Sequence, residues 1–91
     1  MKQYTSKDQT VKLIELGFPK PQSIVDILGI YNEVETAYSI GELIEFLEPR
    51  IYRIENEMEW LVDGLRVYRA DTELINALFE ACVTLKEEGL I

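Results

Sequence analysis

Apolar residues recur at helical spacing in three stretches of the chain and alternate with polar residues in a fourth. The helical stretches run from about residue 6 to 16, from 39 to 48 and from 72 to 88, and each has apolar residues three and four positions apart. That spacing places the apolar side chains on one side of a helix. We therefore expect three amphipathic helices that each bury one face.

Typical capping residues stand at the ends of these stretches. Ser6 with Gln9, and Ser39 with Glu42, have the spacing of a capping box, in which each residue's side chain bonds the other's backbone N–H. Asp71 is the expected cap of the third helix. The stop signals are Gly17, Pro19, Pro21, Pro49 and Gly89.

The alternating stretch, residues 57–68, surrounds the dipeptide Asp63-Gly64. This dipeptide is favoured in two-residue type I′ turns. It therefore predicts a β-hairpin in which Val62 pairs with Leu65, and this pairing decides which side chains share a face of the sheet.

A further strand at residues 51–54 is expected to join the hairpin through a loop at residues 55–57. This register places Arg53 opposite Glu59 as a cross-strand ion pair. The predicted core face comprises Tyr52, Ile54, Met58, Trp60, Val62, Leu65 and Val67. The predicted water-facing side comprises Arg53, Glu57, Glu59, Leu61, Arg66 and Tyr68.

Residues 22–37 support two alternatives. The helical alternative rests on the spacing of Ile24, Ile27, Leu28 and Tyr31. The extended alternative rests on the alternation of Val34, Thr36 and Tyr38. Both remain open for this segment.

The secure elements predict a single small domain, residues 1–91, of the α+β class. Apolar stripes on the helices and one apolar sheet face imply two layers. We expect a three-stranded antiparallel sheet with about three helices packed on one face.

Composition narrows the function. The chain has 17 Asp and Glu residues against 9 Lys and Arg residues and no histidine, which gives a net charge of −8. Without histidine, the usual zinc ligand sets and the Ser-His-Asp triad are excluded. The negative charge argues against direct binding of nucleic acid through its phosphates.

The charge is concentrated in the middle third of the chain. Residues 32–63 have a net charge of −7, whereas residues 1–31 have +1 and residues 64–91 have −2. An acidic segment of this kind is either a solvated surface or a surface that meets a partner.

Three features bear on the compartment. The first residues are polar and lack the apolar segment of a signal peptide. No apolar run approaches the ~20 residues that a membrane span needs. Cys82 is the single cysteine, so an internal disulfide cannot form, which fits a reducing environment. We expect a cytoplasmic protein that does not bind membranes.

Candidate reactive groups have structural explanations. Cys82 lies on the apolar side of the third helix, where burial would raise its pKa and make it unreactive. Carboxylates are closely spaced at Glu42 and Glu45, and at Glu55, Glu57 and Glu59. They lie opposite the apolar faces, so we expect them to be solvated. The sequence predicts no catalytic residue, no metal site, no cofactor and no enzyme activity.

Two motifs carry a resemblance to known proteins. They are Tyr38-Ser39-Ile40-Gly41-Glu42-Leu43 at a helix start and Leu85-Lys86-Glu87-Glu88-Gly89 at a helix end. With the segments around them they resemble small uncharacterised proteins encoded by phages and mobile elements of gut anaerobic bacteria, over about half of the chain. The resemblance implies an origin and a fold class but no site residue.

The function that we expect from the sequence is binding of a protein partner. The candidate contact residues are Arg53, Glu57, Glu59, Leu61, Arg66 and Tyr68. Among them, Leu61, Arg66 and Tyr68 form a small mixed patch of the kind found at interface hot spots. The partner is either another protein or a second copy of this chain. The alternative is an acidic mimic of nucleic acid that inhibits a DNA-binding enzyme, because closely spaced carboxylates imitate phosphates.

Overall fold

The computed structural model of the chain describes residues 2–26 and 34–91, and these form three helices and five strands. The helices are α1 (Lys7–Glu15), α2 (Ile40–Leu47) and α3 (Leu74–Glu87). The strands are β1 (Ser23–Asp26), β2 (Val34–Ala37), β3 (Ile51–Asn56), β4 (Trp60–Gly64) and β5 (Val67–Asp71).

Both predicted capping boxes are confirmed. The Ser6 hydroxyl accepts a hydrogen bond from the Gln9 N–H at 3.2 Å, and the Gln9 side chain accepts one from the Ser6 N–H at 2.9 Å. Ser39 and Glu42 form the same reciprocal pair, with both distances at 3.2 Å. These bonds satisfy N–H groups that the first turn of a helix leaves without an internal partner.

The predicted glycine stops are also confirmed. Gly17 and Gly89 have φ angles of +97° and +72°. In α3, the Leu90 N–H donates to the Leu85 carbonyl at 2.8 Å, which is the hydrogen bond of a Schellman motif that spans more residues of the chain. Glycine reaches this left-handed conformation without a steric penalty, so these two positions end α1 and α3.

Helix α3 begins two residues later than predicted. Asp71 is the last residue of β5, where it pairs with Trp60, and its carboxylate accepts the Glu73 N–H at 2.8 Å. The same carboxylate accepts from the Asn76 side chain at 3.4 Å. The predicted cap is therefore wrong: Glu73 occupies the cap position without a side-chain capping bond, and Asp71 contacts the start of the helix from the preceding strand.

Strands β3, β4 and β5 form the predicted three-stranded antiparallel sheet in that order. The predicted turn at Asp63-Gly64 is wrong, because Gly64 pairs with Val67 and the two turn residues are Leu65 and Arg66. The Leu65 N–H donates to the Arg50 carbonyl at 2.7 Å, which ties this turn to the start of β3.

The predicted register between β3 and β4 is wrong by the same amount. Asn56 pairs with Trp60, so the connecting turn is residues 57–59, and Arg53 faces Asp63 rather than Glu59. Both turns lie two residues further along the chain than predicted. The pairing partners therefore differ by four residues from those predicted, and since side chains alternate with period two, this even shift leaves strand residues on their predicted faces.

Three residues do not lie on the face of the sheet that the sequence predicted for them. Met58 and Leu65, which were expected in the core, lie in the two turns and are exposed. Tyr52 is 71% exposed because a bulge between Ile51 and Arg53 leaves it without a partner on β4. Their placement on the core face was therefore wrong.

Strands β1 and β2 form a separate two-stranded antiparallel sheet, with Ser23 facing Ala37 and Asp26 facing Val34. The extended alternative is therefore correct for these strands. The part of the prediction that involves Ile27, Leu28 and Tyr31 lies outside the described residues.

The core is built around α3, which packs against β4, β5 and α2 and also contacts α1. Its buried residues are Leu74, Ile75, Ala77, Leu78, Ala81, Cys82 and Leu85. Leu13 of α1, Leu43 and Leu47 of α2, and Val62 and Val67 of the sheet complete this core. The structure is thus the predicted α+β arrangement, with the helices on one face of the three-stranded sheet.

Candidate protein-contact face

The side of the β3-β4-β5 sheet opposite α3 contains half of the predicted contact residues. We call this side the outer face. It comprises Tyr52, Arg53, Glu55, Leu61, Asp63, Tyr68 and Ala70. The register aligns six of these residues in two rows across the strands, and Tyr52 lies at the bulge, outside both rows. One row is Arg53, Asp63 and Tyr68, and the other is Glu55, Leu61 and Ala70.

The first row is organised around an arginine between two carboxylates. The Arg53 guanidinium lies 3.4 Å from the Asp63 carboxylate and 3.5 Å from that of Glu55. All three side chains are at least one-third exposed, so each ion pair contributes only about 0.2–1 kcal/mol to stability. The contacts orient Arg53 along the sheet surface toward β4, where Asp63 separates it from Tyr68 on β5.

The apolar part of the outer face lies on all three strands. Tyr52 on β3 and Tyr68 on β5 are 71% and 54% exposed, and Leu61 on β4 is half-buried. Tyrosine and arginine are enriched at the energetic centres of protein interfaces, where a rigid aromatic ring buries a large area. The outer face therefore has the composition of a contact surface.

The other three predicted contact residues lie at the ends of the sheet, which corrects their placement on the strands. Glu57 and Glu59 are in the β3–β4 turn, where the Glu57 N–H donates to the Glu59 carbonyl at 3.0 Å. Arg66 is in the β4–β5 turn, with a φ angle of +66°. The structure therefore groups Arg53, Leu61 and Tyr68 on the face and places the other three at its rim.

The two ends of the sheet have opposite charge. The acidic end consists of Glu55, Glu57 and Glu59. The basic end consists of Arg66 in the β4–β5 turn and Arg50 before β3, whereas Arg53 lies between the two ends, in ion pairs with Asp63 and Glu55. Since β4 has five residues, the ends are separated by roughly 17 Å along the strands.

Tyr52, Glu55, Asp63 and Ala70 are the outer-face residues that sequence reasoning missed as contacts. The correct register alone would have placed Glu55 and Asp63 on the outer face. Tyr52 had no signal in the sequence, because its exposure results from the bulge next to it. A bulge changes the direction of one side chain without changing the hydrophobic pattern.

A groove on the opposite side of the sheet, of about 390 Å³, is the other candidate site. Its lining residues are Lys12, Arg69, Phe79, Glu80, Val83 and Thr84. The Arg69 guanidinium donates to the Thr84 hydroxyl at 2.6 Å and to the Tyr68 carbonyl at 2.9 Å. The bond to Thr84 connects β5 to α3, and the bond to the Tyr68 carbonyl holds the guanidinium in place within β5, so Arg69 has a structural role in this groove.

Reactive side chains are buried or solvated. Cys82 is fully buried, as predicted, and burial raises the pKa of its thiol to about 12, which keeps it protonated and unreactive. Burial, with the nearby charge of Glu42, also raises the pKa of the Tyr38 hydroxyl, which donates to the Pro19 carbonyl. Within residues 2–26 and 34–91, no group of three or more histidine, cysteine, aspartate or glutamate residues is arranged to hold a metal ion.

Comparisons with protein families, with curated proteins and with solved structures find no match to this chain. Among the helices that the structure describes, none is long and apolar enough to cross a membrane.

Proposed function

We propose that this chain is a non-enzymatic protein-interaction domain that acts in the cytoplasm, and that its outer face binds a protein partner. A phage or mobile-element origin, which the sequence resemblance implies, is part of the proposal. The observation that supports it best is the pair of exposed tyrosines, Tyr52 on β3 and Tyr68 on β5, on the same face as the half-buried Leu61 of β4.

The electrostatics of the outer face favour a protein over other ligands. The face itself has one basic and two acidic side chains, and acidic residues extend it at one end. A phosphate backbone or an anionic membrane would meet more negative than positive charge there. A protein surface can instead bury the apolar centre and match both charged ends.

The experiment compares capture of proteins from the producing cell by the wild type, by a face variant and by a matched control. The face variant is Tyr52→Ala with Tyr68→Ala. The control is Val11→Ala with Ile14→Ala, which removes two exposed apolar side chains from α1, away from the outer face. We expect the face variant to lose the specific partner and the control to retain it.

The outcome is interpretable only for variants that fold normally, which circular dichroism and Trp60 fluorescence establish. If a correctly folded face variant captures the same proteins as the wild type, the outer face is not the contact surface. If the control loses the partner instead, the exposed apolar residues of α1 are the contact surface.

The second candidate function is inhibition by acidic mimicry of nucleic acid. The register supports it in one respect, because Glu55, Glu57 and Glu59 lie together at the acidic end. Replacing all three by glutamine should then abolish binding to a DNA-binding enzyme, and added salt should weaken binding steeply. A complex that survives both changes would exclude mimicry and favour the tyrosine surface.

A further inference from the structure

We infer that the partner of the outer face is a second copy of this chain, which packs face to face about a two-fold axis running across the strands. This inference rests on the proposed function and names its partner. It is carried by the opposite charge of the two ends of the sheet, the acidic end and the basic end defined above.

The direction of the axis follows from the charge distribution. In a dimer with two-fold symmetry, the same patch of both copies forms the interface. An axis along the strands would place each acidic end on the partner's acidic end. An axis across the strands reverses one sheet relative to the other, so that each acidic end meets a basic end.

Two further observations favour face-to-face packing over joining of the sheets edge to edge. On the β5 edge, the Tyr68 carbonyl already accepts a hydrogen bond from Arg69. On the β3 edge, the bulge at Tyr52 interrupts the regular spacing of backbone groups that a new strand would need. Features of this kind protect edge strands from pairing with another chain.

The size of the face indicates a reversible dimer. Three strands, of which the central one has five residues, present a surface of roughly 17 by 14 Å. Counted on both copies, this flat area of roughly 480 Å² is below the about 1,000 Å² that a stable interface buries, so the association is weak and transient. We therefore expect association that depends on protein concentration and that weakens as salt screens the paired ends.

The test uses two single charge reversals, Arg66→Glu at the basic end and Glu57→Arg at the acidic end. Each side chain is exposed in a turn, so neither change disturbs the core. In the inferred dimer, residue 57 of each copy faces residue 66 of the other, so each reversal places a like-charge pair at both contacts. We expect each variant alone to dimerise at least about tenfold more weakly than the wild type in sedimentation equilibrium.

The decisive measurement is recovery of the dimer. An equimolar mixture of the two single variants has opposite charges at both contacts, as does the double variant Arg66→Glu with Glu57→Arg. Both should recover wild-type affinity. Lys20→Glu and Glu15→Arg, which change the net charge equally at exposed positions outside the sheet, should leave dimerisation unchanged.

Each other outcome overturns a defined part of the inference. A dimer that both single reversals leave unchanged, but that Tyr52→Ala with Tyr68→Ala abolishes, excludes the axis across the strands. A wild type that stays monomeric excludes the second copy as the partner. If the wild type is monomeric and the tyrosine variant loses a protein that the wild type captures, the proposed function stands and only the inferred identity of the partner is wrong. If the tyrosine variant retains that protein, the proposed function is wrong as well.

Discussion

At Gly64, the backbone of β4 approaches β3 so closely that an added Cβ atom would lie 2.1 Å from the Arg50 carbonyl oxygen and 2.9 Å from the Ile51 Cα. Both of these atoms belong to the backbone, so they cannot move aside as a flexible side chain would. The close approach also allows the Leu65 N–H to reach the Arg50 carbonyl.

We therefore expect Gly64→Ala to lower the free energy of unfolding by about 2–3 kcal/mol, as overpacking against fixed atoms does. Urea unfolding followed by Trp60 fluorescence measures this change. Gly41→Ala is the matched control, because its Cβ would meet only the Ser39 hydroxyl, at 3.8 Å. Equal stability of Gly64→Ala and the wild type would show that the two strands are further apart than described.

The same glycine explains why the sequence predicted the turn in the wrong place. A glycine after aspartate is typical of a turn that needs positive φ angles. Here the positive φ belongs to Arg66, whereas Gly64 is needed for its missing side chain. The contact that requires glycine joins residues far apart in the chain, and no local pattern indicates it.

Among the elements, the sheet register separates what the sequence could predict from what it could not. The first residues of α1 and α2 are determined by capping boxes whose two residues are three positions apart. The local sequence was therefore sufficient to predict where both helices begin. The register depends on the contact between β3 and the β4–β5 turn. Because the pairing was wrong by four residues, an even number, Arg53, Leu61 and Tyr68 still share the outer face, whereas Glu57 and Glu59 move into a turn.

A double-mutant cycle tests the observed register against the predicted one. Replacing Arg53 and Asp63 by alanine, singly and together, should give a coupling energy of about 0.2–1 kcal/mol, because their side chains lie 3.4 Å apart on neighbouring strands. The cycle of Arg53 with Glu59 should give a coupling close to zero. Unfolding free energies in urea at low salt provide both values, and coupling to Glu59 alone would support the predicted register instead.

For the whole molecule, the central position of α3 determines how stability depends on pH. The helix is buried by the sheet on one side and by α2 on another, and Cys82 is fully enclosed between them. The thiol keeps its proton in the folded state until about pH 12, whereas its ordinary pKa is 9.0. Above pH 9, the unfolded chain therefore binds fewer protons than the folded chain.

Ionisation of Cys82 thus favours unfolding, and the stability of the wild type should fall as pH rises from about 9 to about 12, with a slope that approaches about 1.4 kcal/mol per pH unit. Cys82→Ala removes this titration and leaves every tyrosine in place. It starts less stable because of the cavity, and its deficit relative to the wild type should shrink across this range. Urea unfolding of both chains at several pH values measures the difference. A constant deficit from pH 8 to 11 would mean that the folded protein lets the thiol ionise, and hence that water reaches the centre of the core.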